Sequence, residues 1–168
     1  MARRSAFGVT HDLSSPGPRI LATYRRLEGR PGGSWIFGRI MARMVPYTAS
    51  IKPKVEELRP GYARVSIRDR RAVRNHLGSI HAIALANLGE YASGLASLTV
   101  LPGNIRGIVV GLHVEYLKKA RGPLVAESSA RAPEAVDEPA EHSVVAEIRD
   151  ADGDVVARVT TDWRLAPR

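Results

Sequence analysis

Between Arg74 and Arg106 runs a stretch of 31 residues, Asn75 to Ile105, in which Glu90 is the only formally charged side chain. Its core, Leu77 to Leu101, has the length of a membrane span, but it contains His81, Asn87, Glu90 and several Gly and Ser residues. That content predicts a buried helix of a globular domain and no stable membrane insertion. Ser79 is a good helix N-cap, and Leu85, Leu88, Ala92 and Leu95 recur at helical spacing. Gly89 and Gly94 each cost a helix about 1 kcal/mol, which fits a helix that another backbone approaches closely. A helix this apolar must be wrapped by the rest of the chain.

The flanking sequence changes to a period of two. Ala49, Ile51, Pro53 and Val55 alternate with polar residues, and Ala63, Val65 and Ile67 do so after a turn at Arg59-Pro60-Gly61. This is a hairpin with one buried face, and Pro53, lacking a ladder donor, places its first strand at an edge. Four further strands are predicted over 107–117, 124–132, 143–150 and 155–165, the last two joined by the turn sequence Asp150-Ala-Asp-Gly-Asp154. Residues 132–141 read as a longer flexible loop. Ahead of the hairpin, residues 1–15 read as a loose tail and 19–27 as a short helix. A second helix, capped by Ser34 and ended by Pro46, carries Ile36, Ile40, Met41, Met44 and Val45 on one stripe. Arg39 and Arg43 fall off that stripe. The helix either packs across its own domain or lies on a membrane surface, and packing is the commoner case. The chain thus divides into an N-terminal tail and helices, 1–46, and one domain, 47–168.

The 168 residues carry a formal charge of +8, no cysteine and 5% aromatic residues. Without cysteine there are no disulfides, thiol nucleophiles or cysteine-held metals, and no metal site is expected. The positive charge gathers in residues 1–46, in Arg68, Arg70, Arg71 and Arg74, and in Lys118, Lys119 and Arg121. Such groups suit an anionic partner or simply a solvated surface. Nucleic acid is not expected, because aromatics are few and no reader motif is present. The start of the chain has no apolar signal core, so a cytoplasmic location is expected.

A carboxylate within the apolar helix is costly unless paired or useful. Burial would raise the pKa of Glu90, which suits a group that takes a proton from water; pairing with an arginine, or reaching the solvent edge of the helix, is the alternative. His81 is expected in the first helical turn, as a functional imidazole or a local hydrogen-bonding residue, and Asn75 in the loop before it. The first-turn amides around Ala82 form a ready electrophilic site, since unpaired N–H groups and the helix dipole point there.

Asn75, Gly78, His81-Ala82 and Glu90, at this spacing and in strand-strand-helix-strand context, resemble the PaaI-like and mammalian thioesterase-superfamily acyl-CoA thioesterases of the hotdog fold. Tyr116-Leu117, the basic residues after them and Ala120 resemble that family's third-strand ending. The likeness covers about 120 residues and is with an uncharacterised branch bearing N-terminal helices. The resemblance implies an α+β hotdog fold, an antiparallel sheet wrapped around a long central helix, with an N-terminal helical extension. It implies hydrolysis of an acyl-CoA to free acid and CoA, with Glu90 orienting or activating the water. The Ala82 amide and the Asn75 side chain would polarise the thioester carbonyl, and His81 would fix the loop. No separate cofactor is implied. CoA, as part of the substrate, would lie on Lys118, Lys119 and Arg121, with Arg71 and Arg74 next. A homodimer or homotetramer with sites across the subunit boundary is also implied. Where the family usually has Gly-Gly after the His, this chain has Ala82-Ile83; Glu90 replaces the commoner Asp, and Val109 a Ser found in some members. A non-catalytic acyl-CoA or lipid-binding hotdog protein and a hotdog dehydratase are the alternatives.

Overall fold

The structure, a computed structural model, describes residues 16–133 and 136–168, so the expected N-terminal tail lies outside the described residues. Helices α1 (Pro16–Leu27) and α2 (Gly33–Met44) precede strands β1 (Lys54–Arg59) and β2 (Tyr62–Ile67). Helix α3 (Ala82–Leu98) follows, then β3 (Ile105–Tyr116), β4 (Leu124–Ser129), β5 (Ala140–Arg149) and β6 (Val155–Pro167). The strands form one antiparallel sheet in the order β1-β2-β4-β5-β6-β3, so β1 and β3 are its edges. Helix α3 packs across β2, β4, β5 and β6. This is the hotdog arrangement.

The burial of α3 explains its composition. Thirteen of its 17 residues are buried, on every side and not along one stripe, so charge is excluded nearly all round. Leu85, Leu88 and Leu95 share one core with Val65, Ile148 and Val159. Each such side chain contributes roughly 1.5–3 kcal/mol by leaving water. The glycines of α3 answer to side chains and not, as expected, to a passing backbone. A Cβ on Gly89 would stand 2.3 Å from Val159 Cγ2. The close backbone approach is instead at Gly17, where a Cβ would meet Leu98 O at 1.7 Å and α1 could not dock on the end of α3.

Several boundaries differ from expectation. The alternation from Ala49 to Val55 is mostly not strand: Thr48–Ile51 is a 3-10 turn and Lys52 is left-handed (φ 51°). Pro53 then leads into β1, which is indeed an edge. In α2 the start is Gly32-Gly33, and Ser34 makes no capping bond. Its buried stripe is Gly33, Phe37 and Met41, while Ile36, Met44 and Val45 are exposed. Phe37 decides the rotation of the helix, because its ring packs edge-on against Tyr24 of α1 at 5.3 Å. Strand β5 begins earlier than expected, taking the end of the presumed flexible loop, and Val136 in that loop is buried.

Candidate active site

The turn before α3 is built around Asn75. Its N–H donates to Ser79 O (2.8 Å), and its Oδ1 accepts from Leu77 N (2.9 Å) and Ser79 N (3.1 Å). Gly78 closes the turn at φ +67°, a conformation that favours glycine. With Oδ1 fixed from two sides, the orientation of Asn75 is set and its amide NH2 is the end left to meet a ligand.

His81, expected in the first turn, is instead the N-cap: its backbone is extended and its Nδ1 accepts from Ile83 N at 3.1 Å. Ser79, expected as the cap, is buried two residues earlier, and its hydroxyl has no partner among the described residues. Ala84 N and Leu85 N both reach His81 O (2.9 and 3.2 Å). The N–H of Ala82 has no acceptor among the described residues. It therefore stands at the positive end of α3 as an unused donor. Tyr116 Oη donates to Ala82 O at 3.2 Å and braces this turn from the end of β3.

Glu90 lies near the middle of α3, half-buried, with no hydrogen-bond or ion-pair partner for its carboxylate among the described residues. Burial pushes its pKa above the ordinary carboxylate value. No arginine among the described residues pairs with it. Beside it, Gly94 has room for a methyl: a Cβ there would be 3.9 Å from Glu90 Oε1 and 3.6 Å from Trp163 Cζ2. Trp163 is buried and its Nε1 has no partner among the described residues. Sequence reading missed Trp163; its inward place in β6 was its one available signal. Those distances are ordinary van der Waals contact, so Gly94→Ala should fold and should gain about 1 kcal/mol of helix stability. By setting a methyl against Glu90 Oε1, it should lower any hydrolytic activity. Gly89→Ala, which meets Val159 head-on, should instead destabilise by about 1–3 kcal/mol. Thermal melts of the two variants check this opposition.

Edge strand β3 pairs with β6 beside Trp163. Val109 pairs with Trp163 and Gly111 with Asp162, which leaves Val110 as a bulged extra residue. The bulge shifts the alternation, so Leu112 pairs with buried Thr161 and turns to the helix side of the sheet, yet it remains 45% exposed. Ile108, Val110, Tyr116 and Leu117 are also exposed. An apolar unpaired edge of this length is an open template for another strand.

The two basic groups that were separate in sequence adjoin in space. Ile80 N donates to Ala120 O (2.8 Å), and Asp69 accepts from both Arg74 Nε (2.6 Å) and Gly122 N (2.8 Å). Arg71, Arg74, Lys119 and Arg121 therefore share the surface beside the start of α3. Two expected phosphate ligands are already engaged: Arg74 with Asp69, and Lys118 with Asp150 (2.8 Å) and Asp154 (2.6 Å) across the β5–β6 turn. The hydrogen bond from Lys118 holds Asp150 below the usual carboxylate range. Arg71, Lys119 and Arg121 are exposed, with no carboxylate partner among the described residues. No cluster able to hold a metal ion occurs among the described residues.

Residues 33–165 match the sequence profile of a family described as Domain of unknown function (DUF4442). The chain belongs to this family. The DUF4442 chain is also similar to a solved structural-genomics protein, APC5556, at 31% identity and a TM-score of 0.77, over 89% of this chain and 99% of that one. A protein of unknown function from Pseudomonas aeruginosa, PA5026, described as a probable thioesterase, is 23% identical with a TM-score of 0.67, over 77% and 93% of the chains. A thioesterase family protein from Silicibacter pomeroyi is 17% identical with a TM-score of 0.64, over 78% and 96%. No curated protein matches the sequence. The fold of this DUF4442 protein is the thioesterase-like hotdog fold, and no helix among its described residues is long and apolar enough to cross a membrane.

Proposed function

We propose that the protein hydrolyses an acyl-CoA thioester by carboxylate-assisted attack of water. The observation that carries this reading is Glu90, a half-buried carboxylate with raised pKa, no cation beside it among the described residues, and a glycine in place of a side chain next to it. A group so placed takes a proton from water more readily than an ordinary carboxylate does. The Ala82 N–H and the Asn75 NH2 are the donors for the carbonyl oxygen as charge develops on it. His81 shapes the turn that presents them. A binding-only hotdog protein would have no use for the unpaired carboxylate. A screen of acyl-CoAs with a thiol-detecting dye tests the reading, and silence across short, long and aromatic acyl groups would sink it.

Nine residues separate His81 from Glu90, or ~13 Å along a helix axis. One helix cannot apply both ends to one thioester, so the working site takes Glu90 from one subunit and the Ala82 turn from another. The exposed β3 edge supplies the joint, by pairing with β3 of a second copy. Light scattering should therefore give a dimer or tetramer, and Ile108→Lys with Leu112→Lys should give a monomer without activity. A parent protein that stays monomeric at micromolar concentration would overturn this assembly.

For the CoA phosphates, Lys119, Arg121 and Arg71, which have no carboxylate partner among the described residues, come ahead of Lys118 and Arg74. Lys119→Ala with Arg121→Ala should raise KM for an acyl-CoA about ten-fold at low salt, with little change for a thioester lacking the nucleotide. Equal KM values in parent and variant would remove the phosphate role.

A further inference from the structure

A groove of about 1210 Å³ runs between α2 and the β1 edge of the sheet. Trp35, Ala42, Val45, Pro53 and Pro123 give it apolar walls, and Arg39, Lys52, Arg68 and Arg70 line it with positive charge. Its single carboxylate among the described residues, Glu56, is already taken by Lys54 Nζ (2.6 Å) and Ser66 Oγ (2.6 Å). Two hydroxyls inside are without protein partners among the described residues: those of Tyr91 and Thr48, each residue only 6% exposed. Burial, and then the charge of Glu90, pushes the Tyr91 phenol up, so it stays a hydrogen-bond donor. Arg70 is oriented by donating to Ser50 O (2.6 Å), two residues from Thr48. Tyr91 follows Glu90 directly, about 100° further round the helix, and it lines the groove whereas Glu90 does not. Glu90 looks toward Trp163 of β6, whereas Tyr91 looks into the groove by β1, β2 and β4.

We propose that this groove is a second binding site, separate from the Glu90 site, for a single-chain amphiphile with an anionic head group, of the long-chain fatty-acid class. The walls take the acyl chain out of water at roughly 25 cal/mol per Å². The carboxylate accepts from Tyr91 and Thr48 and is neutralised by the cations around it, where charged hydrogen bonds are strongest. A carboxylate has lone pairs enough to accept from both hydroxyls at once. A second copy of this chain is a poor occupant, because it would bring a like-charged face.

Gly38 makes the proposal testable. It lines the groove on α2, and a Cβ there meets nothing within 4 Å. Gly38→Leu should therefore keep or raise the melting temperature, since leucine is the better helix former, while its side chain plugs the groove. Titration of the full chain with the fluorescent fatty acid cis-parinaric acid should show saturable binding, weakened more than about ten-fold by Gly38→Leu. Tyr91→Phe with Thr48→Val should weaken it about ten-fold. Arg39→Glu with Arg68→Glu should weaken the acid but not its methyl ester. The readout is binding, so it is independent of whether Glu90 hydrolyses thioesters. Absence of saturable binding, or binding unchanged in stably folded Gly38→Leu, overturns the proposal. So does a change of oligomeric state in Gly38→Leu, which would mark the groove as a contact between copies.

Discussion

Glu90→Gln should lower turnover of the best acyl-CoA by on the order of 10²–10⁴ while leaving KM, fold and assembly in place. The change keeps the shape of the side chain and removes the ability to take a proton, so it separates chemistry from packing. The stability of the variant is a second readout. Burial raises the pKa of Glu90 in the folded chain above its unfolded value. Between those two values the folded protein binds more protons than the unfolded chain, so stability falls as pH rises through the window. Glu90→Gln removes that loss. Its melting temperature should exceed the parent's at neutral pH and converge with it below the ordinary carboxylate range. An ion-paired structural Glu would behave the other way, losing stability at neutral pH on replacement. The acid limb of the kcat profile should likewise lie above the usual carboxylate pKa. Full turnover in Glu90→Gln would end the proposed mechanism.

Asn75→Ala should cost about 10² in turnover if its NH2 holds the developing oxyanion. Some destabilisation will accompany it, because Oδ1 also organises the turn through Leu77 N and Ser79 N. Asn75→Asp keeps the acceptor and removes the donor, so it should fold like the parent and still lose turnover. The decisive measurement is mixing. Glu90→Gln and Asn75→Ala subunits, unfolded together and refolded, should recover part of the activity, since a mixed dimer regains one site with both groups intact. If the two variants are separately inactive and mixing restores nothing, the site is not shared between copies. Rescue would also support the β3 edge as the joint, because its bulge at Val110 turns Leu112 to the side of the sheet that carries Glu90.

The order of elements and their antiparallel pairing were legible because each rests on local chemistry. Glu90 stood out for the same reason: a lone carboxylate among 31 residues is visible without coordinates. What the sequence left open turned on which groups meet. Ser79 looked like a better cap than His81, yet the bonds of Ile80 N to Ala120 O and His81 N to Val73 O draw residues 79 and 80 into the core. The helix is thereby made to begin later. That Lys118 pairs with Asp150 and Asp154 across the β5–β6 turn was likewise not visible in the sequence. The stripe of α2 was misread because Phe37 could find Tyr24 only once α1 had docked. Periodicity and charge count act over one or two turns of chain, and so the sequence determined the helix, the strands and the isolated acid by itself. Caps, ion pairs and helix rotation depend on partners tens of residues away, and only the tertiary structure decided those.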